Sequence, residues 1–537
     1  MSNESRRRLL NWKTFGILLL WMASLVGAAL AGAYAYRGRS QIRAMLRSVQ
    51  GGAIIQTNLY NIEVRKLSIP AEGRDGGIAV LGEGILFANR FGRTWYVDPS
   101  LTLRELTLRI PINVEEFEAD PYNDVTNSRE LFAVKDLFVQ PRRDGVRVLA
   151  SYNHWYADDN CYVLRVSALE TTEDALLEGG APDGWTTVYE TAPCRPLTEN
   201  ANGINRNPTL GAGGRVAALS DHEILVTVGG FGPETVSPDT PSGARIQDVD
   251  NPYGKTILLD LDSGAHRIYS VGHRNPQGLA ISSGGEIWET EHAARGGDEL
   301  NRILDGRNYG YPVVSYGTEY ESMVWSTNPR QGHHDGFEKP MYAWVPSVGT
   351  SQVTVIEGPL FRHWQGDVVV SSLNQRTLFR VRVEDGRAVF VEPIFVEHRV
   401  RDVVEAVDGS LVLKTDDDFL VFLRPIDAES IDLSSLDAPT RGSLLASTCS
   451  GCHTFTADGP DGVGPSLWGV VGRNVAEREG YAYSEALRSL GGEWTEDRIE
   501  SFLTAPNAVA SGTTMAMTRT YSDSEISDLI AYLATLR

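Results

Sequence analysis

The chain has 537 residues, of which 42% are hydrophobic and 22% charged, and its formal charge is −21. That length suits two or three domains rather than one, and the apolar share is enough to build their cores. The acidic balance argues against nucleic acid as a partner, and there is neither a long block of like charge nor a low-complexity tract.

Residues 1–14 are short and carry Arg6, Arg7, Arg8 and Lys13. Residues 15–36 then run for 22 positions without a charge. At 1.5 Å per residue this is about 33 Å of helix, enough to cross a hydrocarbon core. A cleavable signal peptide is the competing reading, with Ala31-Gly32-Ala33 or Ala33-Tyr34-Ala35 as the small-residue site. The run exceeds the ~7–15 apolar residues of a signal peptide, which favours an uncleaved transmembrane anchor. Arg37, Arg39, Arg43 and Arg47 follow the span, so flanking charge does not orient it. Residues 37–51 read as a juxtamembrane linker.

From 52 to 425 the chain repeats one theme: short runs such as VRVLASYNHW, EILVTVGGFG and KTILLDLDSG, separated by Gly, Asp, Asn or Pro turns. Strands at this spacing predict a mainly β domain. Its length is too great for one sandwich and suits a propeller of six four-stranded blades, roughly 60 residues each. Residues 426–442 form a short acidic linker.

Near the C-terminus stands Cys449-Ser450-Gly451-Cys452-His453. C-x-x-C-H is the attachment sequence for a c-type haem. Two thiols at i and i+3 lie on one face of a helical turn and can each form a thioether, and the adjacent histidine supplies an axial ligand. An electron-transfer haem needs a second, soft ligand; Met515 is the first choice and Met517 the spare. Residues 443–537 resemble the small, all-α class I cytochromes c of the mitochondrial type. The likeness rests on GPSLWGVVGR (464–473), EGYAYSEAL (479–487), Trp494, Pro506, GTTM (512–515) and a final helix over 522–537. It implies one covalent haem c, with Pro465 accepting a hydrogen bond from His453, and Arg473, Tyr483, Trp494 and Thr513 around the propionates. Leu487 and Phe502 depart from the asparagine and tyrosine usual in the family, which makes the methionine side more apolar. Residues 441–537 hold 7 Arg against 12 Asp and Glu, so this module lacks the basic ring of a shuttle cytochrome that docks on acidic oxidases.

Haem c is attached outside the bacterial cytoplasmic membrane in that family. The resemblance therefore implies a single-pass inner-membrane protein with a cytoplasmic N-terminus and periplasmic propeller and haem domain. Cys161 and Cys194 share that oxidising compartment, so a disulfide between them is expected.

The stretch 269–317, with GHRNPQGL (272–279) and GGDELN…NYGYP (296–312), resembles the soluble glucose/sorbosone dehydrogenases. These are six-bladed propellers that use pyrroloquinoline quinone (PQQ) with Ca²⁺. The resemblance places Arg274, Asn275, Arg399 and Arg401 on the cofactor, and guanidinium forks suit its carboxylates and quinone oxygens. Asn374 stands where the family has a cofactor-pairing lysine. Ala293 and Ala294 match positions whose backbone carbonyls hold calcium, and Asp298, Glu299 and Tyr309 match a second calcium region of oxygen ligands. The family's general base is a histidine, and Gly211 occupies its place; His273 is a weak substitute and His292 another. Two functions follow. One is a PQQ-dependent sugar or alcohol dehydrogenase that feeds its own haem and then a respiratory acceptor. The other is an inactive propeller that serves as a docking module for a tethered cytochrome.

Overall fold

The structure, a computed structural model, describes residues 53–536 apart from 120–131, 144, 180–183, 197–210, 232–240, 321–322, 329, 359, 427–436, 447–448, 450–452, 458, 460, 462–463 and 516–522. The expected anchor at 15–36 lies outside the described residues. Among those residues no helix is long and apolar enough to cross a membrane.

Six sheets, antiparallel but for the short strand Arg307–Asn308 that pairs in parallel with His266–Val271, form a six-bladed propeller. The innermost strands are Gly77–Leu81, Val134–Arg142, Gly213–Ala218, Pro276–Ile281, Thr350–Val355 and Val400–Glu405, in blades 1 to 6. Each packs on the next, and the sixth packs on the first. The ring is closed by pairing across the chain's ends: Asn61–Ser68 runs antiparallel to Phe419–Ile426 as an outer strand of blade 6.

Strand side chains alternate between faces, so each blade offers an apolar face to both neighbours. In blade 1, Ile85 and Phe87 pack toward blade 6, whereas Leu86 and Ala88 pack toward blade 2. Six such interblade layers make up the propeller core. The axis is polar. Arg215 of blade 3 reaches Asp136 of blade 2 at 2.8 Å and Asp402 of blade 6 at 3.2 Å, and Asp402 accepts a bond from the blade 1 amide of Ile78. Burying these charges is tolerable because each is paired and hydrogen-bonded. Cys161 and Cys194 form the expected disulfide.

The C-terminal module is helical. Helices Ala438–Ala446, Glu496–Thr504 and Asp523–Leu533 surround an apolar core of Leu445, Ile499, Ile526, Leu529, Ile530 and Leu533. Thr495 caps the second of these through the amide of Arg498. Arg441 clamps the first helix to the last through a two-pronged pair with Asp528, 2.7 Å on each prong.

Candidate functional site

A cleft of about 500 Å³ opens on the propeller, lined by Gly211, Arg274, Asn275, His292, Asn374 and Arg399 among others. Its position follows from the topology. Gly211, Asn275, Gly349 and Arg399 each lie one or two residues before the innermost strand of blades 3, 4, 5 and 6. The connections that enter those strands therefore converge on one face.

Arg399 donates to Asn374 Oδ1 at 3.1 Å, and both Arg399 and Arg401 bind Asp416. Arg401 sits behind the cleft wall, where its second neighbour is Asp75, itself held by Lys135. Burial opposes the Asp75 charge, but Lys135 and Arg401 win and hold its carboxyl at about 2. Lys414 lies in the same layer, fully buried, with no hydrogen-bond partner on Nζ. Burial pulls its pKa down to about 8 against the attraction of Asp416. Four cations thus face Asp75 and Asp416, while Asp402, which also attracts Lys414, is paired with Arg215. That surplus, with an orphaned ammonium inside it, suits an anionic group in the cleft.

On the opposite wall Arg274 donates to the carbonyls of His292, at 3.1 Å, and Ala293, at 2.7 Å, and to the Tyr320 hydroxyl. The Ala293 carbonyl expected to face calcium is therefore already engaged by a guanidinium. His292 lines the cleft, and its Nε2 bonds to the Thr350 carbonyl, which fixes the proton on Nε2 and leaves the lone pair on Nδ1. Burial lowers its pKa, so the ring is neutral near pH 7.

Gly211 lines the cleft as expected, at φ +74°, with the Asn275 side chain nearest to where a Cβ would sit, at 3.7 Å; it offers no base. Three expectations change, those for His273, Asp298 and Tyr309. His273 is fully buried and absent from the cleft wall, so it is not placed to take a substrate proton. Asp298 is not a free ligand. It accepts from Ser347 Oγ at 2.6 Å and from the amides of Ala293, Val348, Gly349 and Thr350, and so clamps the loop entering blade 5. The Tyr309 hydroxyl is likewise used internally, on Arg302 and Leu304, while its ring stacks on His273.

Behind the cleft is an acidic layer. His273 Nδ1 lies 3.1 Å from Glu289 and 3.6 Å from Glu291, all buried. Burial would lower the His273 pKa, but these carboxylates raise it to about 10. Glu299, also buried, is pushed well above the carboxylate range by burial and by Glu291. A narrow gap of about 10 Å³ bordered by Glu291, Glu299 and Tyr309, and sharing Arg274, His292 and Ala293 with the cleft, has room for one water or ion at most.

In the helical module His453 Nδ1 bonds to the Pro465 carbonyl at 2.7 Å. The other ring nitrogen is left for a metal, as ligating histidines require. Gly464, the first residue of the GPSLWGVVGR run, lies against the same ring: a Cβ there would be 2.3 Å from it. Met515 is partly buried, and its amide donates to Thr513 Oγ1. Arg473 donates to the carbonyls of Ser466 and Trp468, and burial raises the Tyr483 pKa against the pull of Arg473. Trp494 packs edge-on to Phe502. Cys449 is partly buried; Cys452 and Met517 lie outside the described residues. The site fits haem c in its histidine geometry.

Comparison with known proteins matches both parts. Residues 198–422 match the glucose/sorbosone dehydrogenase family and residues 440–537 the cytochrome c family. An uncharacterized protein of Synechocystis sp. is 30% identical over 258 residues, 45% of this chain and 60% of that one. The aldose sugar dehydrogenase of Escherichia coli is 31% identical over 187 residues, 32% of this chain and 50% of its own. A cytochrome c homolog of Bradyrhizobium diazoefficiens is 42% identical over 97 residues, 18% of this chain and 53% of its own. The chain thus spans 60% or less of the length of each of these relatives. The solved soluble aldose sugar dehydrogenase of Escherichia coli superposes with a TM-score of 0.53 at 21% identity, over 68% of this chain and all of that one, a likeness of fold. The chain carries a glucose/sorbosone dehydrogenase domain followed by a cytochrome c domain.

Proposed function

We propose that the protein is a membrane-anchored periplasmic quinohaem dehydrogenase. It oxidises a sugar or alcohol in the propeller cleft and delivers electrons through its own haem c to a respiratory acceptor. The observation that carries this reading is the cation surplus at the cleft, on the same chain as a cytochrome c domain; the fusion keeps the acceptor at high effective concentration. PQQ, when bound, supplies an ortho-quinone that takes two electrons from the substrate, and haem c supplies a one-electron carrier. Arg274, Asn275, Asn374 and Arg399 would hold PQQ from opposite walls, with Arg401 and Lys414 adding positive charge from behind. Calcium at the Ala293 and Ala294 carbonyls requires Arg274 Nη1 to leave the Ala293 carbonyl. His292, whose Nδ1 carries the lone pair, is the cleft residue suited to receive the substrate hydroxyl proton, in place of the missing base at Gly211.

The test is to add Ca²⁺ and PQQ to the purified protein and follow haem reduction across a panel of aldoses and alcohols. Sugar-dependent reduction is expected, and absence of PQQ binding by calorimetry overturns the reading. His292→Gln should lower the rate by roughly 10²-fold or more and remove the acid limb of the pH profile. The bare Gly211 favours the second reading, a docking module; binding of PQQ without haem reduction by any substrate in the panel would support it. Replacing Met515 should abolish the methionine–iron absorption band, and loss of that band in Met517→Ala instead would move the ligand.

A further inference from the structure

We propose that His273, Glu289 and Glu291 bind a divalent transition-metal ion, Zn²⁺ being the ion their ligand set fits. The site is independent of whether the propeller turns over.

Glu289 and Glu291 lie at i and i+2 on the blade 4 strand Ile287–Glu291, so both carboxylates project from one face. Their cross-strand partners on Asp298–Arg302 are Asn301 and Glu299. His273 enters from the connection between blades 3 and 4. Its Nε2 is 2.8 Å from Ser270 Oγ, which fixes the ring and aims Nδ1 at the carboxylates.

Three observations point to an ion. The first is spacing. Metal–ligand bonds of about 2.0–2.2 Å at angles between octahedral and tetrahedral give ligand edges of roughly 2.9–3.5 Å. Nδ1 lies 3.1 Å from Glu289 Oε1 and 3.6 Å from Glu291 Oε1, close to such edges. The second is satisfaction. Asn301 Oδ1 is fully buried and meets hydrogen-bond geometry with nothing, and the buried His273 Nδ1 and Glu289 Oε1 have no hydrogen-bond partner outside the cluster, facing each other at 3.1 Å. The third is charge. Glu289, Glu291 and Glu299 form no ion pair with a lysine or arginine among the described residues, and His273 is their one basic partner there. A divalent ion held through a neutral His273 would offset the charges of Glu289 and Glu291.

The expected calcium ligands do not form a rival set. Asp298 is saturated by the blade 5 loop and the Tyr309 hydroxyl is used elsewhere, which leaves Glu299. An imidazole with two carboxylates is a borderline donor set and suits zinc better than calcium, which takes oxygen. No substrate could reach so buried an ion, so its role is positional. Glu291 also accepts the Arg274 amide at 2.7 Å, and the ion would pin the turn that presents Arg274 and Asn275 to the cleft.

The test uses the full-length protein in detergent, stripped of metal by chelation and titrated with Zn²⁺, with and without Ca²⁺. One tightly held equivalent is expected, and X-ray absorption at the zinc edge should show one imidazole among oxygen ligands. His273→Leu should lose the imidazole scattering, and Glu289→Gln should weaken Zn²⁺ by roughly 100-fold; the β signature in far-UV circular dichroism reports that the propeller of each variant is folded. Oxygen-only ligation, imidazole scattering that survives in His273→Leu, or no retained equivalent in the wild-type protein would each overturn the site.

Discussion

The two layers that back the cleft are opposites. The layer under blade 6 gathers Lys135, Arg399, Arg401 and Lys414 around Asp75 and Asp416, a surplus of cations with one ammonium left without a partner. The layer in blade 4 gathers Glu289, Glu291 and Glu299 around His273, a surplus of carboxylates. Buried charge is costly unless it is balanced. Each layer is therefore informative about what it would accept: an anion from the cleft in one case, a cation in the other. The pKa directions agree. The Asp75 carboxyl is held low among cations, whereas Glu299 is pushed high among its own kind.

The sharpest way to break this contrast is Arg401→Ala. It removes a guanidinium that spans Asp416 and Asp75, both partly buried, and leaves Asp416 to Arg399 and Asp75 to Lys135. Breaking a buried pair from one side costs about 3–5 kcal/mol when nothing else holds the charge; with those partners in place urea unfolding should show a loss of about 1–3 kcal/mol. The same variant should weaken PQQ, read by calorimetry. A stability change below ~1 kcal/mol, the range of a surface pair, would mean that the blade 6 layer does not hold its charges together.

Blade 4 makes the second test. Folding raises both the His273 and the Glu299 pKa, so the native state binds more protons than the unfolded one. The His273 contribution is fully present below its unfolded value of 6.5 and is lost as pH rises through about 10. Glu299 acts in the same direction: stability falls once pH rises above 4.5, where the unfolded group ionises first. Metal-free protein should therefore become less stable from mildly acidic pH upward in denaturant titrations. Zn²⁺ at 100 times its Kd should restore about 2.7 kcal/mol, with the gain larger at high pH because binding displaces protons. A flat pH profile without metal would remove the contrast with blade 6.

The propeller was legible in the sequence because its strands are short apolar runs punctuated by turn residues, and its blade number followed from length. The cleft was legible where residues sit inside GHRNPQGL or beside an innermost strand, as Arg274, Asn275 and Arg399 do. What escaped were roles set by distant partners. Asp298 reads as an oxygen ligand until the loop near residue 348 is seen to fold its amides onto it. His273 reads as a cleft histidine until Glu289, on the next strand of blade 4, encloses it. Gly464 entered only as the first residue of GPSLWGVVGR; its requirement, the absence of a Cβ against the His453 ring, shows only in three dimensions.

Lys414→Met is the gentlest probe, and it separates stability from binding. The wild-type ammonium is buried, and its pKa is lowered from 10.5 to about 8, so at pH 7 the folded state holds a charge it would rather shed. Replacing it with a side chain of similar length and no charge should stabilise the unliganded protein by on the order of 1–3 kcal/mol, the attraction to Asp416 being already contained in the lowered pKa. The sign can be checked by pH. The unfolded lysine keeps its proton up to 10.5 and the folded one releases it near 8, so wild-type stability rises between those values and the variant's advantage shrinks. If the surplus of cations exists to receive an anion, the same variant should bind PQQ more weakly while being harder to unfold. Equal affinity with a gain in stability would make Lys414 a buried charge with no part in the cleft, and would leave the contrast resting on the arginines alone.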